Sequence, residues 1–131
     1  MGDEAGRLET SIGMTNAGDN AHQYVYVTTT GRRTGRPHTI EIWYGEADGR
    51  LYLLAGGRDR ADWVRNLRAD PRIEVRQGDV TSPARARVVG GGDEDALARR
   101  LLAAKYQGWR EGLPLSSWAA HALCLAVDLA S

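Results

Sequence analysis

The sequence lacks the features by which several classes of protein are usually recognised. Its 131 residues include one cysteine, Cys124, so an internal disulfide is excluded. Its 17 basic and 17 acidic residues give a formal net charge of zero, which offers no general attraction to nucleic acid. The longest nearly apolar run, residues 118–127, is far below the ~20 residues that a membrane-spanning helix needs. We therefore predict no membrane span and no nucleic-acid partner.

Motifs for metal or nucleotide binding are also missing. The three histidines lie in different predicted elements without ligand spacing, and no H-E-x-x-H or paired-cysteine pattern occurs. The glycine run at residues 90–92 precedes three carboxylates and lacks the G-x-x-x-x-G-K-[ST] pattern of a P-loop. We therefore predict no bound metal and interpret the glycine run as a linker.

The first 21 residues have little structural signal. They are rich in Gly, Asp, Asn and Thr without a sustained hydrophobic period, so we predict a flexible arm before a single domain of residues 22–131. Asp3, Glu4 and Glu9 stand where a secretory signal would need a basic start and an apolar stretch. The expected location is therefore cytoplasmic.

What the sequence does contain is a series of short β patterns and two helical patterns. Alternation of apolar and polar residues predicts strands at residues 24–29, 39–44, 51–54, 72–76, 84–89 and 123–129. Apolar faces predict helices at residues 61–69 and 93–106, the second capped by Asp93. Pro83 predicts an irregular start to the fifth strand. The order β-β-β-α-β-β-α-β favours an antiparallel sheet curled into a small barrel with two peripheral helices.

The strongest local signal is a turn between the first two predicted strands that has three arginines and no carboxylate. Arg32, Arg33 and Arg36 occupy this turn together with Gly31 and Gly35. Arginine presents a planar fork of donors that matches phosphate oxygens, and glycine lets backbone amides approach the same anion. The turn is therefore a candidate phosphate site, the alternative being a hairpin turn merely solvated by its arginines.

Three motifs in succession resemble the deazaflavin (F420)-dependent nitroreductase family. They are the arginine turn of residues 28–38, the LYLLAGG run of residues 51–57, and the DWVRNL run of residues 62–67 followed by Asp70-Pro71. The resemblance covers about residues 24–90. It implies a split antiparallel β-barrel of about six strands, mainly β with α (α+β), in the superfamily that includes pyridoxamine phosphate oxidases. It also implies coenzyme F420, a 5-deazaflavin with a phosphate and an oligoglutamate tail.

The resemblance implies a role for each motif. The arginine turn would hold the cofactor phosphate, residues 55–62 would lie along the deazaflavin ring, and Trp63 and Asn66 would anchor the helix that shapes this loop. His38 stands where relatives often have arginine and Asp62 where they often have proline, so phosphate affinity is expected to be weaker or to depend on pH. The implied cofactor-binding residues are Arg32, Arg33, Thr34, Gly35, His38, Ala55, Gly56, Gly57, Arg58, Asp62, Trp63 and Asn66.

The implied chemistry requires few catalytic side chains. A deazaflavin has carbon in place of the flavin N5, so it transfers a hydride, and the protein chiefly orients the reactants and excludes water. If a proton donor is used, Tyr106, Tyr44 and Trp109 are the candidates, with Tyr106 first because family members tend to place tyrosines in the C-terminal part of the pocket. Residues 103–117, which would line the substrate side, match no pattern.

These observations predict one leading function and two alternatives. The leading function is an F420H2-dependent reductase that passes a hydride to a small conjugated, quinone-like or nitro acceptor. The alternatives are an FMN-binding oxidoreductase of the same barrel class and a non-catalytic deazaflavin-binding protein. We expect a homodimer, because the open sheet edges of split barrels are often covered by a partner subunit. Two of the implied cofactor contacts also have a purely structural interpretation. Gly56-Gly57 could be only a flexible strand exit, and Trp63 only a core residue.

Overall fold

The computed structural model describes residues 22–129, so the predicted arm at residues 1–21 lies outside the described residues. The strands are β1 Val25–Thr30, β2 Pro37–Ile42, β3 Gly45–Ala47, β4 Arg50–Ala55, β5 Arg72–Gln77, β6 Val80–Val88 and β7 Leu123–Leu129. The helices are α1 Asp62–Ala69, α2 Gly92–Gln107 and α3 Ser117–His121, and a single 3₁₀ turn spans Arg58–Arg60.

The seven strands form one antiparallel sheet in the order β2-β1-β5-β6-β7-β4-β3. Its two edge strands, β2 and β3, are consecutive in the chain and are joined by only Trp43 and Tyr44. In a flat sheet these edges would lie ~29 Å apart, at about 4.8 Å per strand, whereas the short connection reaches at most ~11 Å. The sheet therefore has to curl until its edges approach each other. This confirms the predicted α+β split barrel.

The interior of the barrel is filled by apolar side chains from alternate strand positions. In β1, for example, Val25 and Val27 are fully buried while Tyr26 and Thr28 are half-buried on the other face. Helix α1 packs against this core through buried apolar side chains. The interior core consists mainly of Val25, Val27, Leu51, Leu53, Val64, Leu67, Val75, Leu125 and Val127.

A second core lies between the outer face of the sheet and helices α2 and α3. Strands β4 and β7 are buried on both faces, so Leu54 and Cys124 pack outside the barrel against Ala98 and Leu102 of α2. Burial raises the pKa of the Cys124 thiol to about 12, which keeps it protonated. Cys124 is thus a small buried hydrophobe, as its sequence context predicts.

Two short elements were missed by the sequence analysis. The predicted strand at residues 39–44 ends at Ile42, and after a corner the chain forms the three-residue strand β3, which pairs with β4. Helix α3 has only five residues, too few for an apolar period to be read. Its start was nevertheless signalled by Ser116, whose side chain accepts a hydrogen bond from the Ala119 N–H as an N-cap.

Two boundary predictions were wrong. Asp93 is not the cap of α2, because the helix begins at Gly92 and places three carboxylates in its first turn, where the helix dipole favours negative charge. Pro83 does not precede a strand but lies within β6, which runs from Val80. Within residues 22–129, the pairing of β6 with β7 begins at Ala84, so Pro83 interrupts no β6–β7 hydrogen bond of the described sheet.

Candidate functional site

The arginine turn between β1 and β2 is closed by its own backbone. The N–H of Gly31 donates to the Arg36 carbonyl at 2.7 Å, and the N–H of Gly35 donates to the Gly31 carbonyl at 2.8 Å. Gly35 has a φ of 74°, in the left-handed region that favours glycine. A Cβ on Gly31 would lie 2.8 Å from His38 Nε2, so glycine at this position lets the imidazole lie against the turn.

Asn66 connects this turn to the barrel and to helix α1. The amide is buried, and its Oδ1 accepts hydrogen bonds from the Arg32 N–H at 3.2 Å and from Arg32 Nη1 at 2.8 Å. Its Nδ2 donates to Thr29 Oγ1 at 3.2 Å. The Nη2 of Arg32 also pairs with the exposed Asp62 carboxylate at 3.2 Å. Arg32 is therefore held in place before any ligand binds.

Other donors of the turn have no protein partner. The exposed guanidinium groups of Arg33 and Arg36 make no hydrogen bond or ion pair within residues 22–129. The backbone N–H groups of Arg33 and Thr34 likewise have no acceptor in the described chain. Arg32, Arg33, Thr34 and His38 line a cleft of about 220 Å³. We call it the anion cleft, since most of its charge is positive.

A second cleft, of about 440 Å³, lies beside the C-terminal end of β2. Its lining is mostly aromatic and apolar, and we call it the aromatic slot. Successive residues in the first turn of α1 line the two clefts, Asp62 the anion cleft and Trp63 the aromatic slot. The slot is lined by Tyr24, Glu41, Ile42, Trp43, Leu54, Ala55, Gly56, Trp63, Gln107 and Trp118.

Two other aromatic rings hold Trp43 in the slot. The Tyr106 ring stacks on it with centroids 4.3 Å apart and planes at 1°, and the Trp118 ring meets it edge-on at 5.5 Å and 88°. A Cβ on Gly56 would lie 3.5 Å from Trp118 Cδ1, in ordinary van der Waals contact. The slot thus has a rigid aromatic wall. Gln107 belongs to residues 103–117, which match no sequence pattern, and Trp118 directly follows them.

The loop from β4 to α1 borders the slot and has an unusual backbone. Arg58 has a φ of 55°, which non-glycine residues rarely adopt, and it begins the 3₁₀ turn. Asp59 holds the loop on α1, because Arg65 Nε donates to its carbonyl at 2.9 Å and Arg68 Nη2 pairs with its carboxylate at 3.0 Å. The loop conformation is therefore stabilised by its own helix.

The structure brings most of the predicted cofactor-binding residues together in these two clefts. Six of them line the anion cleft: Arg32, Arg33, Thr34, His38, Asp62 and Asn66. Three line the aromatic slot: Ala55, Gly56 and Trp63. The remaining three, Gly35, Gly57 and Arg58, line neither cleft, and belong to the turn and loop backbones that border them.

The tyrosines predicted as proton donors are placed differently, and neither lines either cleft. Tyr44 is fully buried, and its hydroxyl accepts a hydrogen bond from the His22 N–H at 3.3 Å. The Tyr106 hydroxyl accepts from the Tyr44 N–H at 3.0 Å and reaches the carbonyls of Gln23 and Tyr44 at 2.9 and 3.0 Å. Burial raises the Tyr106 pKa to about 12. Tyr106 supports Trp43 through its ring, with its hydroxyl turned to the backbone.

Trp109 also lies outside the slot. Its indole N–H donates to the Leu113 carbonyl at 2.8 Å, and the residue lines a separate cleft of about 410 Å³ formed with residues 113–116. Within residues 22–129, no three His, Cys, Asp or Glu side chains are grouped as metal ligands. None of the described helices combines the length and apolarity needed to cross a membrane.

The chain matches the model of one protein family over most of its length. The family model for F420H(2)-dependent quinone reductases matches residues 5–113, well over half of the chain. The chain belongs to the F420H2-dependent quinone reductase family. This confirms the resemblance identified from the three motifs, the assignment as an oxidoreductase, and coenzyme F420 as the family's cofactor.

Solved structures similar to this family member agree on the fold. An F420-H2 dependent reductase is 23% identical with a TM-score of 0.63, covering 81% of this chain and 94% of that one. A protein described as a domain-swapped dimer is 23% identical with a TM-score of 0.62, covering 81% and 80%. A FAD-binding protein from Mesorhizobium loti is 18% identical with a TM-score of 0.60, covering 86% and 84%. Proteins named for different cofactors thus share this fold.

Proposed function

We propose that this chain is a reductase that transfers a hydride from reduced F420 to a small conjugated acceptor with a quinone-like or nitro group. The observation that carries the proposal is that successive residues of α1, Asp62 and Trp63, line the anion cleft and the aromatic slot respectively. A phosphate-bearing tricycle needs these two environments side by side. The family description names both the donor, F420H2, and a quinone acceptor.

The anion cleft is suited to the cofactor phosphate. Arg33 offers a guanidinium fork and a backbone N–H without a competing partner in the described chain, and Thr34 offers a second free N–H. Arg32 is held by Asn66 and pairs with Asp62, whose side chain is 83% exposed. An exposed ion pair contributes only ~0–1 kcal/mol, so Asp62 does not prevent a phosphate from reaching Arg32.

The aromatic slot is suited to the ring and to an acceptor beside it. Its volume of about 440 Å³ is typical of ligand sites, which span roughly 300–1,000 Å³. Ala55 and Gly56 present little side chain, so the ring can approach the β4 backbone, and Trp43 and Trp118 give the same slot aromatic surface on which we place the acceptor. When bound, the reduced cofactor supplies a hydride, which carries two electrons.

The protein's own part in the reaction is positioning and exclusion of water. The acceptor gains one hydride and one proton, and we propose that the proton comes from solvent. Tyr106 was the first candidate donor, but its hydroxyl is engaged by the backbone and its pKa is raised to about 12. Tyr44 is fully buried in the barrel core.

A binding experiment tests the cofactor site. The purified protein is titrated with oxidised F420 and with FMN while the fluorescence of each is followed. We expect Arg33→Ala to weaken F420 binding by about one to two decades, because a charge-assisted hydrogen bond contributes about 1.5–3 kcal/mol. Arg85→Ala removes an equally exposed arginine of β6 that lines neither cleft, and should leave binding unchanged. Absence of F420 binding, or tighter binding of FMN, would contradict the proposal.

A turnover experiment tests the reaction. Reduced F420 is supplied with quinones, enones and nitroarenes, and the absorbance of the oxidised cofactor is followed. Turnover of at least one acceptor class supports a reductase. Tight cofactor binding without turnover of any acceptor would instead support a non-catalytic deazaflavin-binding protein.

We also propose that the protein forms a homodimer. The outer edge of β2 has no strand partner within the described sheet, and one similar structure is described as a domain-swapped dimer. Light scattering coupled to size exclusion measures the mass directly, and the 14.3 kDa of a single chain would contradict this proposal.

A further inference from the structure

Gln107 is a polar side chain on the aromatic slot that no motif predicted. It is the last residue of α2 and is exposed. It lines both the aromatic slot and the separate cleft that contains Trp109 and Ser116. Most of the other residues of the slot are aromatic or apolar. An amide at this place can therefore determine how a ligand is oriented there.

Ser116 determines which end of the Gln107 amide faces the slot. The Ser116 hydroxyl accepts a hydrogen bond from the Ala119 N–H at 3.1 Å, so its single proton is free to be donated elsewhere. It lies 2.8 Å from Gln107, and an oxygen that donates its proton needs an acceptor, which is Oε1. The amide nitrogen Nε2 is consequently turned away from Ser116.

The position of Ser116 relative to the two clefts indicates which amide atom of Gln107 is available to a ligand in the slot. Ser116 lines the cleft that contains Trp109 and does not line the aromatic slot, whereas Gln107 lines both. With Oε1 engaged by Ser116, Nε2 is the amide atom left available to a ligand in the slot, which also contains Trp43 and Trp118. Nε2 has no acceptor among residues 22–129.

We propose that Gln107 Nε2 donates a hydrogen bond to an exocyclic oxygen of a planar acceptor stacked in the aromatic slot. This inference rests on the proposed function, and it defines the acceptor class as flat molecules with a carbonyl or nitro oxygen. Negative charge grows on that oxygen as the acceptor gains electrons, so a fixed donor binds the reacting form more strongly than the resting form. Gln107 is thus a specificity-determining residue.

The charge of the slot narrows the acceptor class further. Glu41 is the one charged side chain among the described residues that line it, and its carboxylate accepts a hydrogen bond from the Tyr26 hydroxyl at 2.8 Å. A carboxylate near the slot disfavours anionic ligands. Uncharged quinones and nitroarenes therefore suit the site better than carboxylated ones.

The test compares two ligands of nearly the same shape. Protein saturated with oxidised F420 cannot transfer a hydride, so calorimetric titration with 1,4-naphthoquinone and with naphthalene measures binding alone. Gln107→Met keeps the side-chain length and removes the donor, and Gln107→Glu keeps an acceptor for Ser116 and also removes the donor. We expect both variants to bind the quinone about 3- to 10-fold more weakly and naphthalene with unchanged affinity.

Two results would overturn the inference: equal quinone affinity in wild type and variants, or equal losses for both ligands, which would mean that Gln107 only lines the slot. Each variant is first titrated with F420, and its quinone and naphthalene titrations are made at a cofactor concentration that saturates that variant, because Gln107 also lines the slot in which we place the ring. If the wild type does not bind F420, the proposed function fails, and the same ligand pair titrated into unloaded protein still decides the role of Gln107.

Discussion

At the scale of single residues, Asn66 has the largest influence on the site. Its buried amide satisfies Arg32 on one side and Thr29 on the other. Removal of such a group leaves buried or half-buried partners unsatisfied, which costs more than the hydrogen bonds themselves contribute. The residue therefore links the stability of the barrel to the geometry of the anion cleft.

We predict that Asn66→Leu lowers the free energy of unfolding by about 1–3 kcal/mol, because Thr29 loses its donor and Arg32 loses its acceptor. It should also weaken F420 binding, since Arg32 is released from the turn. Urea denaturation and F420 titration measure the two effects. Asn66→Gln keeps both the donor and the acceptor of the amide without adding charge to the anion cleft and is the matched control, with a smaller loss of affinity. Unchanged stability in Asn66→Leu would refute the assigned role.

At the residue scale the arginine turn was identified from the sequence, because glycine and arginine act through local backbone and side-chain properties. The sequence did not show that Arg32 is already held by Asn66, which is 34 positions away in the chain. Nor did it show that the Tyr106 hydroxyl faces the Tyr44 backbone and leaves only its ring for the site. Such pairings depend on which elements the fold brings together.

At the scale of secondary-structure elements, a cluster of charges joins the start of α2 to the sheet. The Glu94 carboxylate accepts hydrogen bonds from Arg87 at 2.7 and 3.0 Å, from the Tyr52 hydroxyl at 2.8 Å, and from Arg50 at 3.2 Å. Asp128 of β7 joins the cluster through its ion pairs with Arg50 and Arg87. The cluster thereby connects the start of α2 with β4, β6 and β7.

This cluster predicts a loss of stability in acid. The hydrogen bonds from Arg87 lower the Glu94 pKa from 4.5 to about 2. Because the folded pKa is the lower one, the contribution is complete above about pH 4.5 and is lost as pH falls toward 2. Urea midpoints measured from pH 6 to 2 should fall over this range and should fall less steeply in Glu94→Gln. Asp70, whose pKa Arg72 lowers to about 2, maintains part of the slope in the variant.

An identical pH slope in Glu94→Gln and wild type would contradict this prediction. Asp93→Asn is the matched control, because Asp93 is an exposed neighbour in the same helical turn that makes no ion pair within residues 22–129. Its slope should equal that of the wild type, which separates the effect of the cluster from a general effect of charge at the start of α2.

Elements with a clear period were predicted to within a few residues, as for β5 and α1. The missed elements are those in which tertiary packing replaces a local signal. Strand β3 is too short to alternate, and its Gly45 lets it pack on α2, since a Cβ there would lie 3.1 Å from Leu101 Cβ. Helix α3 exists because Trp118 packs into the second core.

At the scale of the whole molecule, cofactor binding should stabilise the fold. The two clefts are built from residues of β2, β4, α1, α2 and α3 and of the arginine turn, so they are absent from the unfolded chain. A ligand that binds only the folded state at 100 times its dissociation constant adds about 2.7 kcal/mol. We therefore predict that oxidised F420 at this concentration raises Tm by about 10 °C for a chain of this size.

Differential scanning calorimetry measures this shift. FMN at the same concentration and F420 with Arg33→Ala should both give clearly smaller shifts, because the first has a different ring and tail and the second lacks the phosphate donor. A Tm that does not change with F420 in the wild type would argue against a preformed cofactor site.

By itself, the sequence determined the antiparallel barrel class, the arginine turn and the three motifs of the F420H2-dependent family, because alternation, turn chemistry and motif spacing are local properties of the chain. Only the tertiary structure decided that Trp43 and Trp118 form one wall, that Asn66 holds Arg32, and that Ser116 orients Gln107. The reason is the curl of the sheet. Closing its edges through Trp43 and Tyr44 brings together side chains from distant parts of the chain, and no local pattern records which of them will meet.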